Sequence, residues 1–168
     1  MKRISVLGLF VFALLLPGRG VFADDAGAML VITGMVPHPM SLNVAAFTAL
    51  PHRSVVVTDE NGTHATYGGV DLATVLQQAG VTFGTTIRGA RLADYVVVSA
   101  SDGYRVVFAL PEIDAAFRDE VVIVADTRDG TPLDAKSGPL QIIIPDEHHR
   151  ARWIHNITSI AIEHATHP

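Results

Sequence analysis

Ser54-Val55-Val56-Val57-Thr58-Asp59-Glu60-Asn61-Gly62-Thr63-His64-Ala65-Thr66-Tyr67 holds both arms and the turn of an antiparallel unit. β-Branched residues dominate the first arm; stiff at χ1, they pack well on a pleated surface. Asn61-Gly62 is the strongest hairpin dipeptide in the chain, because both residues accept the positive φ that a tight turn of the right twist demands. Thr63 to Tyr67 then returns against Ser54 to Thr58. The same grammar recurs on either side. Met29 to Thr33 reads as a strand stopped by Gly34. Tyr95 to Val98 and Tyr104 to Phe108 flank Ser101-Asp102-Gly103 as a second hairpin. Val121 to Ala125, Leu140 to Ile144 and Ile157 to Ile162 complete the set of strands.

Helical periodicity is scarce. Leu72, Val75, Leu76 and Ala79 recur at i, i+3, i+4 and i+7, with Asp71 placed to cap the start and Gly80 to stop the end. Ser41 to Phe47 reads as a shorter capped helix, and Pro111 to Phe117 as a turn or two. Strands outnumber helices and do not alternate with them regularly, which argues against a doubly wound sheet. The expectation is an α+β fold, a β-rich mixed sheet with few short helices.

Composition narrows the function classes. The chain has 168 residues, no cysteine and a formal charge of −5. Removing residues 1–23, which hold Lys2, Arg3 and Arg19 and no acids, leaves a net charge of −8. An acidic chain without a basic stripe argues against nucleic acid and against anionic membrane surfaces. The absence of cysteine excludes disulfide scaffolds, thiolate metal sites, iron–sulfur clusters and a cysteine nucleophile. With 49% apolar and 17% charged residues the chain is not disordered. There is no internal repeat, linker or low-complexity tract, so residues 24–168 read as one domain of ordinary size, within about 100–200 residues.

Residues 1–23 read as a secretory signal peptide. Lys2 and Arg3 precede the apolar run Ile4 to Leu16, and Val21-Phe22-Ala23 offers small residues at the cleavage positions. Thirteen residues fall short of the about 20 that span a bilayer, and Pro17 breaks the run. There is no lipobox cysteine and no twin-arginine pair. The expected product is exported, to a bacterial periplasm, with no direct membrane anchor.

The densest polar cluster is Asp146-Glu147-His148-His149-Arg150-Ala151-Arg152-Trp153-Ile154-His155. His148, His149 and His155 are its candidate metal ligands, but adjacent histidines diverge on a strand or a helix, and His155 is six positions away. A solvated loop after Pro145 is the favoured reading of the segment. Trp153, the only tryptophan, beside Arg150 and Arg152 suits a flat heteroaromatic ligand that stacks while a guanidinium donates to its acceptors; it also suits a plug in the core. Ser101-Asp102-Gly103-Tyr104 needs no more than turn chemistry, yet an aspartate is also the standard partner for a donor–donor edge. Asp126, Arg128 and Lys136 read as solvated surface.

Local features fall in an order that resembles the molybdopterin-binding domain of the sulfite oxidase superfamily, especially its small exported members. The landmarks are Leu30 to Val36 with Pro39, Ser41-Leu42, Leu50-Pro51, Thr66-Tyr67-Gly68-Gly69-Val70-Asp71-Leu72, Ala79-Gly80-Val81, Ser101 to Tyr104, Asp129-Gly130-Thr131-Pro132-Leu133, Lys136-Ser137-Gly138-Pro139-Leu140, Ile144-Pro145 and Arg152-Trp153-Ile154. The resemblance implies a pocket for the pterin end of that cofactor. Catalytic members hold molybdenum through one cysteine just after the strand that Ser54 to Val57 resembles; here Thr58-Asp59-Glu60 stands there. A neutral hydroxyl does not replace a soft, charged thiolate. The resemblance therefore implies a non-catalytic binder of a pterin-type ligand, without molybdenum, that senses it or regulates a partner such as a membrane signalling protein. By analogy Asp102 meets the pterin amino edge, Trp153 its face, Arg152 and Tyr104 its oxygens, with Ser101 beside them and Thr58 at the vacated cysteine position. The alternatives are a molybdopterin-dependent oxidoreductase with a non-cysteine metal site, and a protein-interaction module with a vestigial pocket.

Overall fold

The computed structural model describes residues 27–58 and 61–166. The signal-peptide reading, and Asp59-Glu60 of the stretch where relatives carry cysteine, lie outside the described residues. In chain order the elements are β1 (Leu30–Gly34), β2 (Met40–Leu42), α1 (Val44–Thr48), β3 (Arg53–Thr58), β4 (His64–Asp71), α2 (Leu72–Gln78), β5 (Asp94–Ala100), β6 (Arg105–Ala109), β7 (Ile123–Arg128), β8 (Thr131–Pro132), β9 (Gln141–Ile143) and β10 (Ile157–His164). Single 3₁₀ turns occupy Gly84–Thr86, Gly89–Ala93, Leu110–Ile113 and Arg150–Arg152. No helix among the described residues is long and apolar enough to cross a membrane.

The opening hairpin forms in the register its turn dictates, with Val55 opposite Tyr67, Val56 opposite Thr66 and Thr58 opposite His64. Its inner face buries Val55, Val57, Ala65 and Tyr67, while Val56 faces solvent, as period-two alternation requires. The second hairpin pairs Val96 with Phe108 and Val98 with Val106, all four buried.

The strands divide between two sheets. One runs β2-β1-β10-β5-β6; the other runs β3-β4-β7-β8, with β9 also on β7. The first is mixed, because β1 and β10, near opposite ends of the chain, pair in parallel. The α+β, β-rich reading therefore holds. Which sheet a strand joins depends on partners far along the chain, which no local pattern encodes. Inward side chains from both sheets, among them Leu30, Ile32, Val96, Ile160, Val70, Val124 and Ile142, fall in one contiguous core. Each fully buried aliphatic side chain there contributes about 1.5–3 kcal/mol.

Two details correct the sequence reading. Ser41 and Leu42 do not begin a helix: they pair with Val31 and Leu30 as β2, and the cap falls to Asn43, whose Oδ1 accepts from the Ala46 amide at 2.8 Å. Asp71 precedes α2, but its side chain caps nothing and instead pairs with Arg53 at 3.2 Å. Gly69 has a specific reason to be glycine. At the irregularity where β4 shifts register on β7, a Cβ there would collide with the Val124 carbonyl and the Ala125 backbone. Gly68-Gly69 thus lets two backbones approach closely and delivers Tyr67 to the site.

Candidate functional site

The loop between β9 and β10 carries Pro145 to Arg152 across the turn end of the opening hairpin. Its Arg150 Nη2 donates to the carbonyl of Thr58, the last residue of β3, at 3.0 Å. Between loop and hairpin lies a cleft of about 790 Å³, lined by Thr58, Asn61 and Pro145 to Arg150. That size falls inside the about 300–1,000 Å³ usual for small-molecule sites. On the other side of Arg150 is a smaller hollow of about 250 Å³, lined by Asp102, Tyr104, Trp153 and His155 among others. A third, of about 80 Å³, is lined by Tyr67, Arg128 and again Arg150. Arg150 is the shared wall of all three.

The aromatic floor under Arg150 is built from Trp153 in the β9–β10 loop and Tyr67 on β4. Trp153 is 5% exposed, donates its indole N–H to the Ile144 carbonyl at 3.2 Å and meets Tyr67 edge-on, 6.0 Å between ring centres. The Arg150 guanidinium lies 4.6 Å above the Trp153 ring, and that of Arg128 lies 5.7 Å from the Tyr67 ring centre. A cation over an indole is favoured by the ring quadrupole. Trp153 is therefore a core residue, as its plug reading had it, and in this conformation a guanidinium covers its outward face.

Arg152 is a clamp. Its Nε donates to Glu147 at 2.5 Å and its Nη1 to Glu112 at 2.8 Å, and it lies 4.9 Å over Phe108. Burial works against its charge, but the hydrogen bonds it donates to Glu112 and Glu147, with the charges of both carboxylates, outweigh that and raise its pKa above the ordinary arginine value. Held this way it ties the loop to the 3₁₀ turn after β6 and lines neither cleft.

The remaining residues singled out from sequence separate. Thr58 is in the large cleft, with its hydroxyl 2.9 Å from His64 Nδ1. Asp102 and Tyr104 are in the small hollow. There the Asp102 carboxylate accepts from the Tyr104 amide at 2.9 Å, the turn chemistry read from Ser101-Asp102-Gly103, and the Tyr104 hydroxyl donates to the Ala151 carbonyl at 3.0 Å. Ser101 donates its amide to the Asn156 carbonyl and stands outside both. His148 and His149 line the large cleft and His155 the small one, so the three candidate ligands are not brought together. No group of three or more histidines and acids among the described residues is placed to hold a metal ion.

Sequence reasoning missed Glu147. Its Oε1 holds Arg152, while its Oε2 is buried without a hydrogen-bond partner among the described residues, and the residue lines the large cleft. Nothing local signals this, because Glu112, which fixes the geometry through Arg152, is 35 residues away in sequence. Asp126 was also misread as surface. It sits on β7 with one carboxylate oxygen 3.2 Å from His52 Nε2.

The donor set does not match a thiolate-held metal. The chain contains no cysteine, and the hydroxyl nearest the corresponding position, Thr58 Oγ1, is engaged with His64. The lining instead carries a guanidinium, a hydroxyl and a carboxylate, in Arg150, Thr58 and Glu147, residue types that recognise the edges of a polar heterocycle.

No curated protein sequence matches the chain significantly. Among solved structures it is similar to the sulfane dehydrogenase SoxCD from Paracoccus pantotrophus, with a TM-score of 0.62 and 16% identity over 79% of this chain. The match spans 37% of that chain, and at this identity it establishes the fold alone. The profile of the oxidoreductase molybdopterin binding domain matches residues 21–168, nearly the whole length. The chain therefore belongs to the oxidoreductase molybdopterin-binding domain family.

Proposed function

We propose that this domain is an exported, non-catalytic binding module for a pterin-type ligand, and that it senses the ligand on behalf of a partner such as a membrane signalling protein. One observation carries the reading: a cleft of ligand size is lined by Arg150 and by Glu147, whose buried Oε2 has no hydrogen-bond partner among the described residues, in a family member with no cysteine. A pterin presents an amino group and a ring N–H along one edge. Glu147 suits that edge better than Asp102, whose carboxylate is spent on its own turn. Arg150 and Thr58 are placed to meet ring nitrogen or oxygen atoms. Because Arg150 also covers Trp153, a ligand that draws the guanidinium toward itself alters the indole environment.

The test is anaerobic titration of the purified protein with 6,7-dimethyltetrahydropterin, followed by calorimetry and Trp153 fluorescence. The expected result is saturable 1:1 heat with a fluorescence change, weakened about tenfold or more in Glu147→Gln, the worth of one charge-assisted hydrogen bond. Absence of heat overturns the reading and leaves a partner-binding module with a vestigial pocket. Stoichiometric molybdenum with turnover of sulfite or a sulfoxide overturns it in favour of the oxidoreductase alternative. N-terminal sequencing of secreted material tests export, with Asp24 the expected first residue.

A further inference from the structure

At the far end of β10 from Trp153, and separate from the cleft above, a second groove of about 480 Å³ opens. Met35, Pro37, Val81 and Ile162 supply its apolar walls, and Met35 is 60% exposed at the rim. Its polar end is one cross-strand pair. Asp94 opens β5 and His164 closes β10 directly opposite it, so sheet register sets their geometry. His164 Nδ1 lies 2.6 Å from Asp94 Oδ1, and Asp94 is 7% exposed. On the other carboxylate oxygen, Arg91 Nε approaches to 3.6 Å. The terminal nitrogens of Arg91 donate to Thr82 and Thr86, so the guanidinium is fixed in place.

An ionised carboxylate can only accept, which assigns the ring proton of His164 to Nδ1. In the neutral imidazole Nε2 is then an acceptor, and it meets no protein partner among the described residues. His164 and Asp94 both line this apolar groove, so a buried acid orients an imidazole at its polar end, the arrangement of a ligand site: many apolar contacts for affinity, one polar group for orientation. We propose that this groove binds a small apolar ligand with a single O–H or N–H donor, which hydrogen-bonds to His164 Nε2. The walls select the apolar body, and the dyad selects the donor.

The test uses p-cresol as probe and toluene, the same ring without the hydroxyl, as control, with the purified protein observed through its backbone amide resonances. p-Cresol is expected to shift Val81, Asp94 and Ile162 saturably and to bind about five- to tenfold more tightly than toluene, the worth of one hydrogen bond. His164→Phe keeps a ring in place and is expected to erase that preference. Shifts confined to the Thr58–Arg150 cleft, or none at millimolar p-cresol, overturn the proposal, and so does equal binding of toluene and p-cresol to the natural protein. The last comparison needs no variant, so it decides the matter even if His164→Phe fails to fold.

Discussion

Arg152→Met replaces the clamp of the β9–β10 loop by an apolar side chain of similar length. Arg152 makes two charge-assisted hydrogen bonds, each contributing about 1.5–3 kcal/mol where well covered. Its partners Glu147 and Glu112 keep only 14% and 19% of their side-chain surface exposed, so neither hydrates fully once abandoned. Arg152 itself is 31% exposed, which discounts the sum for solvent screening. The expected loss is about 2–3 kcal/mol, a fall in Tm of roughly 5–10 °C for a domain of this size. Arg150→Met is the internal comparison. It removes a cation–π contact worth about 0.5–1 kcal/mol at an exposed site and one hydrogen bond worth about 1 kcal/mol, so it should cost about two-thirds as much. Arg118, 3.9 Å from Glu112, is a second cation at that carboxylate, and Arg118→Met combined with Arg152→Met should exceed the sum of the single changes. Urea unfolding followed by the single tryptophan measures all of these with one probe. An Arg152→Met protein within about 0.5 kcal/mol of the natural one, or an Arg150→Met protein destabilised equally, would show that Arg152 does not clamp this loop.

Two further outcomes follow from geometry remote from the cleft. Gly69→Ala drives a methyl into the β7 backbone and should destabilise by about 3 kcal/mol or more, whereas Gly130→Ala meets no neighbouring atom and bears only left-handed strain of about 1–2 kcal/mol; thermal melts of equal midpoint would refute the close approach. Tyr95 donates to Glu163 at 2.7 Å, and that hydrogen bond, with burial and the carboxylate charge adding to it, raises the phenol above its usual pKa of 10.0. A raised phenol stabilises the fold fully below pH about 10, and that contribution is lost as pH climbs through the folded value. In a spectrophotometric titration one of the three tyrosines should ionise late and move earlier in Glu163→Ala; superimposable curves would refute it.

The strands were legible because alternation and turn chemistry are local. Val55 and Val57 had to share a face, and Asn61-Gly62 had to reverse the chain. β2 was not legible, because Ser41-Leu42 carries a weak preference of its own that pairing with β1 overrides. In the site, the sequence brought attention to Arg150, Arg152 and Trp153 by their chemistry and to Thr58 only through the family resemblance. It could not apportion their duties. Arg150 and Arg152 are two residues apart and of the same type, yet one walls the cleft and the other is absorbed by two glutamates. Glu147 drew no notice because an acid in a polar loop is ordinary until its neighbours bury it.

Composition and order alone determined that the protein is a β-rich α+β domain with no thiolate to offer a metal, and that its landmarks follow those of a molybdopterin-binding lineage. Those properties are carried by residue identity and spacing along the chain. Only the tertiary structure decided that Asp102 and Thr58 lie on opposite sides of Arg150, that Trp153 faces inward, and that Asp94 meets His164. Each depends on contacts between segments distant in sequence, set by sheet register and shared burial, and no window of neighbouring residues contains that information.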